Sequence, residues 1–302
     1  MKLCFAILLV GSALVCIFAV QLPDIYNRRL APNGFYMPRL ETGAATRLHP
    51  SELAPVAADA HKVYEITANF EPLSSALGQK TFTSSPFITD LIDPVKDSSL
   101  TAKTKAALNK QDGTKLYAKV LQVHLNGNMY NALKITEQNS DPSAEQTYWA
   151  SRGGYVDVPL HPKQGDPTIV LTPSFSGGSL AVDLLKDGKT IRIYHLQGGR
   201  EDRQYNNVRD HGLGLLGAME YKHYGYHIDQ YNREIFVEHN TGSAFVQYVG
   251  STWVIRYQMI ESIPSITRIS NIKIRGSTVH TTFPQSSQIV GYGEAVLNIP
   301  KK

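Results

Sequence analysis

The chain has 302 residues, of which 42% are hydrophobic and 19% charged, with 30 Lys+Arg against 26 Asp+Glu. This composition excludes a largely disordered or collagen-like polymer, and a net charge of +4 is too small to point to nucleic acid. Sixteen Tyr, 23 Gly and 16 Pro lean toward strands and turns, and the length suffices for one large or two modest domains with real cores.

Residues 1–19 read as a secretory signal peptide. Lys2 supplies the basic start, Leu3 to Val10 and Leu14 to Ala19 are apolar, and Ile17 and Ala19 precede a cut ahead of Val20. No later stretch approaches the roughly 18 uninterrupted apolar residues of a membrane-spanning helix, so no stable membrane span is expected and the mature chain is expected outside the producing cell. Both cysteines, Cys4 and Cys16, lie inside the leader, so its removal leaves a cysteine-free protein. Thiolate nucleophiles, redox pairs and Cys-ligated zinc are then ruled out.

A Pro-rich, irregular stretch follows from Gln21 to about Pro55, with a dibasic Arg28-Arg29. Tyr36-Met37-Pro38-Arg39-Leu40 is similar to the end of insect pyrokinin-type peptides, but amidation needs a following Gly and Glu41 stands there. Between Ser51 and Lys110 the pattern is partly helical: Ser51-Glu52-Leu53 opens an Ala-rich segment. Asp97-Ser98-Ser99 precedes a helical run from Leu100 to Lys110 that closes on Asp112-Gly113. Residues 20–112 are therefore expected to form an irregular and helical N-terminal part, and 113–302 a β-rich domain.

Within that domain Leu116 to Leu125 runs into Asn126-Gly127 and returns over Met129 to Thr136, a hairpin signal. Further strands are predicted over Thr168–Thr172, Leu180–Leu185, Thr190–Leu196, Glu234–His239, Ala244–Val249, Thr252–Gln258, Ser265–Arg275 and Ala295–Ile299, with Asp187-Gly188 turning the second into the third. His211 to Met219 reads as the start of a short, glycine-weakened helix. The fold class is α+β: a β-rich body, sandwich-like or of mixed antiparallel sheets, with a Pro-rich and partly helical N-terminal part.

The most informative passage is Pro173-Ser174-Phe175-Ser176-Gly177-Gly178-Ser179-Leu180, followed by Asp187-Gly188 and Ile193-Tyr194-His195. It resembles the active-site hairpin of the cytotoxic necrotizing factor and dermonecrotic toxin deamidases, in which an apolar-Ser-Gly-Cys turn precedes two strands and a catalytic His. There the Cys attacks a glutamine side-chain amide and the His acts as general base. The resemblance covers about a tenth of the chain. It places Phe175, Ser176 and Gly177 on the turn and His195 on the imidazole, while the nucleophile position falls on Gly178, which has no side chain. Two function classes follow. One is a secreted, toxin-like effector, a pseudoenzyme that binds a protein target outside the producing cell. The other is an active hydrolase or transferase using Ser176 or Ser179 with His195, or a metal.

The metal alternative rests on His223, His227 and Asp229, spaced by even steps so that a strand puts all three on one face, whereas a helix aligns only the two histidines. His211 and His239 are further candidates, but the HExxH signature is absent. A Glu-X-Glu loop, which an enterotoxin-like ADP-ribosyltransferase needs, is absent too. Gly212, Gly214 and Gly217 match GxGxxG spacing, but the preceding residues 200–211 are polar rather than strand-like. No cofactor is expected.

Overall fold

A computed structural model describes residues 64–299 except 67–68, 79–81, 83–84, 91, 126–127, 139–140, 199, 201–203, 206–214, 225–239, 264–270, 275–276, 281–285 and 298. The predicted leader, the Ala-rich segment after Ser51 and the strand predicted over Glu234–His239 lie outside the described residues. The strands in chain order are β1 (Tyr64–Ile66), β2 (Asn69–Glu71), β3 (Phe87–Ile88), β4 (Thr114–Leu125), β5 (Asn128–Thr136), β6 (Glu145–Trp149), β7 (Tyr155–Pro159) and β8 (Ile169–Leu171). They continue with β9 (Ser179–Leu184), β10 (Thr190–Leu196), β11 (Leu215–Met219), β12 (Asn240–Val249), β13 (Thr252–Ile263), β14 (Asn271–Ile274), β15 (Ser277–His280) and β16 (Ser286–Val296). Two short α-helices, α1 (Leu73–Ala76) and α2 (Ala102–Ala107), precede β4.

The fold is strand-rich, as the turn signals and alternating runs require. Nine strands form one mixed sheet in the order β16-β13-β12-β8-β6-β4-β5-β3, with β2 also paired to β4, and four form a second sheet in the order β11-β9-β10-β7. A small third sheet joins β1, β14 and β15. The Asn-Gly hairpin appears as the β4–β5 pair, in register from Leu125↔Asn128 to Tyr117↔Thr136. Asp187-Gly188 joins β9 to β10. The Asp187 carboxylate accepts the Lys189 and Thr190 backbone N–H groups, and Gly188 takes φ +63°, which costs a glycine little.

Two of the core layers among the described residues follow from the period-2 alternation of these strands. The long sheet curls around one, in which α1 buries Leu73 beside Phe82, Phe87, Val120 and Phe245. Phe82 meets Phe245 edge-on at 4.9 Å. Fully buried Gln258 of β13 ties the curl together: its Oε1 accepts the Phe87 N–H at 2.8 Å and its Nε2 donates to the Ser85 carbonyl at 3.0 Å. The second layer lies between the two large sheets and holds Trp253, Ile255 and Tyr257 against Leu180, Val182 and Ile193. Each such large side chain contributes about 1.5–3 kcal/mol when removed from water.

Three local expectations give way to tertiary contacts. The stretch proposed as a helix at 211–219 carries strand β11, which pairs along β9 with a register shift between Leu215 and Gly217. That sheet edge offers backbone partners that a glycine-poor helix would not need and a glycine-containing strand can take. The helix predicted over Leu100 to Lys110 shortens to α2, capped by Thr101, whose hydroxyl accepts the Thr104 N–H. Asp97 instead pairs with Lys134 and accepts from Ser99. Finally, β2 and β3 enter the same large sheet as the strands beyond residue 113. Among the described residues no helix is long and apolar enough to cross a membrane.

Candidate functional site

β8 delivers Thr172 to the edge of the inter-sheet layer, and the chain then crosses to β9 through 173–178. Phe175 pins this crossing to β12 by exchanging two backbone hydrogen bonds with Gly242, at 2.7 and 2.9 Å. Gly177 adopts φ +75°, and this left-handed residue reverses the chain into β9. On the returning strand β10, His195 stands opposite Leu180. Ile191, Ile193 and His195 share a face by alternation, so the imidazole enters the end of the inter-sheet core.

His195 is only 2% exposed. The Phe175 ring stacks on it at 4.1 Å with an interplanar angle of 11°. Its Nδ1 lies 2.7 Å from the Thr172 hydroxyl oxygen, and that hydroxyl lies 2.8 Å from the Ala150 carbonyl. A hydroxyl has one hydrogen. Since a carbonyl only accepts, Thr172 donates to Ala150 and accepts from His195, which assigns the proton to Nδ1 and leaves Nε2 with its lone pair. Burial, followed by the nearby positive Arg152, pushes the His195 pKa down to about 3. The ring is therefore neutral at physiological pH, oriented and enclosed. An efficient general base has a pKa near the working pH, and this imidazole lies far below it.

The structure separates the residues that the hairpin resemblance brought together. Ser179 stands opposite Leu196, on the face of β9 that points away from His195, so it cannot serve as a nucleophile for that imidazole. Its hydroxyl is buried with no hydrogen-bond partner among the described residues. Ser176 is exposed on the turn, and Nδ1 of the buried His195 is bonded to Thr172. At Gly178 an added Cβ would lie 2.3 Å from the Leu196 carbonyl oxygen, so the position that matches the family's cysteine is closed by backbone. Gly178 itself is held by the Tyr224 hydroxyl, which donates to its carbonyl at 2.9 Å.

Thr172 is the partner that sequence reasoning missed. It appears only as the end of a strand, 23 residues before His195, and no local signal says that the two meet. The same holds for Arg152 and Asp90, whose side chains approach to 3.6 Å beside Pro173.

For the proposed metal site, the even-step strand reading fails at its start. Tyr221–Tyr224 is a 3-10 turn, and the Nδ1 of His223 accepts the Glu220 N–H at 2.9 Å. His227 and Asp229, like His211 and His239, lie outside the described residues. Among the described residues no group of three or more His, Cys, Asp or Glu side chains is placed to hold a metal.

No protein-family model matches the chain, and no curated protein is significantly similar to it.

Proposed function

We propose that this is a secreted, effector-like protein that acts by binding a protein target outside the producing cell, on a hairpin similar to that of toxin deamidases but without their nucleophile. The observation that carries this reading is the backbone contact at Gly178. A side chain there meets the Leu196 carbonyl, and the imidazole that would activate it is buried, with its pKa pushed down to about 3, far below the working pH of a general base. A pseudoenzyme needs the scaffold and not the chemistry. Strands β9 and β10 pair in register from Ile191↔Leu184 to Leu196↔Ser179 with glycine at the turn. The absence of any cysteine after residue 19 agrees with this reading.

The test is ammonia release from glutamine-bearing protein substrates by the purified chain, with His195→Gln as comparison. The expected result is equal, background release from both. Turnover that disappears in the His195→Gln protein would overturn the reading and favour an active amidohydrolase. Sequencing the N-terminus of protein recovered from the medium of expressing cells tests the secretory half, with Val20 as the expected first residue.

A further inference from the structure

A cavity of about 410 Å³ opens beside Pro173, between the segment 89–109 and strands β5 and β6. That volume falls in the range of small-molecule sites, roughly 300–1,000 Å³. Its floor is apolar, formed by Leu100, Leu108, Leu133, Ile135 and Trp149. Trp149 is fixed there because its indole N–H donates to the Leu108 carbonyl at 2.9 Å.

The polar groups at its mouth are not equivalent. Asp93 accepts the Val95 N–H and pairs with Lys96, and Asp97 pairs with Lys134 and takes both Ser99 donors, so each has close partners of its own. Asp90 is held more loosely. Its carboxylate takes the Ser174 hydroxyl and, at 3.3 Å, the Ser174 N–H, and its counter-charge, Arg152, stands at 3.6 Å, beyond hydrogen-bond reach, with 56% of the Arg152 side chain and 47% of the Asp90 side chain in solvent. The lining thus carries three carboxylates and one guanidinium.

We propose that this cavity binds an amphipathic organic cation, its ammonium on Asp90 and its apolar body on the floor of Leu133, Ile135 and Trp149. An ammonium within hydrogen-bond reach supplies the close positive partner that Arg152 does not. Burial by the cavity walls, opposed by Arg152 and Ser174, raises the Asp90 carboxyl above its ordinary value, while 47% of the side chain still reaches solvent, so an ammonium can approach it from the open side. This inference is independent of the reading of the hairpin, since neither His195 nor Gly178 contributes to the cavity.

The test uses three probes of one shape and different charge: phenylbutylamine, phenylbutanol and phenylbutanoate. Binding to the full chain is followed by calorimetry and by tryptophan fluorescence, to which Trp149 and Trp253 both contribute and of which only Trp149 lines the cavity. The expected order is amine, alcohol, carboxylate, with the amine about tenfold tighter than the alcohol. Asp90→Asn should abolish the preference for amine while leaving alcohol binding unchanged. Arg152→Gln, which removes the competing cation, should tighten amine binding and serves as the second variant if Asp90→Asn fails to fold. Saturable binding of the carboxylate equal to that of the amine would overturn the proposal. So would a preference that survives Asp90→Asn, amine binding weakened by Arg152→Gln, or no saturable binding of any probe at millimolar concentration.

Discussion

Replacing Gly178 by alanine tests the turn on which the functional reading depends. The new Cβ would sit 2.3 Å from the Leu196 carbonyl oxygen and 3.4 Å from its carbon. An unstrained contact needs about 1 Å more, and packed backbone yields that only with difficulty. Overpacking of this kind costs about 1–3 kcal/mol. If the shift also breaks the bond from the Tyr224 hydroxyl to the Gly178 carbonyl, about 1 kcal/mol is added. The expected loss is therefore about 2–4 kcal/mol, read as a fall of about 1 M in the urea midpoint by tryptophan fluorescence. Gly188→Ala is the control. Its φ is +63° but nothing lies within 4 Å of the added Cβ, so only the left-handed strain of about 1–2 kcal/mol applies. Gly178→Ala should be the more damaging of the two despite its ordinary φ. The reasoning would be refuted by a Gly178→Ala protein as stable as the parent. It would also be refuted by a folded Gly178→Cys protein whose thiol alkylates rapidly at pH 7 and loses that reactivity on His195→Ala, because the turn would then have room for a nucleophile.

Three further outcomes follow from the site and the core. The folded-state pKa of His195 is depressed to about 3, so its contribution is full above the unfolded value near 6.5 and is lost as pH falls from there toward 3. Between pH 6.5 and 5 the parent should lose about 2 kcal/mol more than His195→Gln in urea titrations, and parallel curves would deny the buried neutral ring. Thr172→Val leaves the Nδ1–H and the Ala150 carbonyl unpaired and should cost about 2–4 kcal/mol, while Thr172→Ser should recover most of it. Equal losses in both would assign the effect to packing. The Asp141 carboxyl is held down at about 2, first by the hydrogen bond from Lys119 and then by Ser143. Its stabilisation is present above about pH 4 and lost as pH falls through about 2. With part of Asp141 in water, Asp141→Asn should remove about 1 kcal/mol at pH 7 and only a small fraction of that at pH 2, and an undiminished effect at pH 2 would contradict the pairing.

Short-range patterning by itself determined much of this protein's β-rich body. The Asp-Gly turn fixes the β9–β10 hairpin because its conformational demands are met within a few residues, and the alternating runs on either side of residues 126–127 pair as β4–β5. The span of β10 and the placing of His195 near its end follow from alternation alone. What alternation cannot supply is the partner across the layer. That Thr172 faces His195, that Ser179 turns away from it, and that the Leu196 carbonyl closes the space above Gly178 depend on register and on the crossing of β8 to β9. The same limit explains β11: its glycines weaken a helix locally, but the free edge of β9 makes it a strand. Likewise Asp97, next to a helix start, is drawn to Lys134 on β5, and Thr101 takes the cap. Local propensities differ by about 1 kcal/mol or less per residue, and a part-buried ion pair, a sheet edge or an overlapping carbonyl outweighs them.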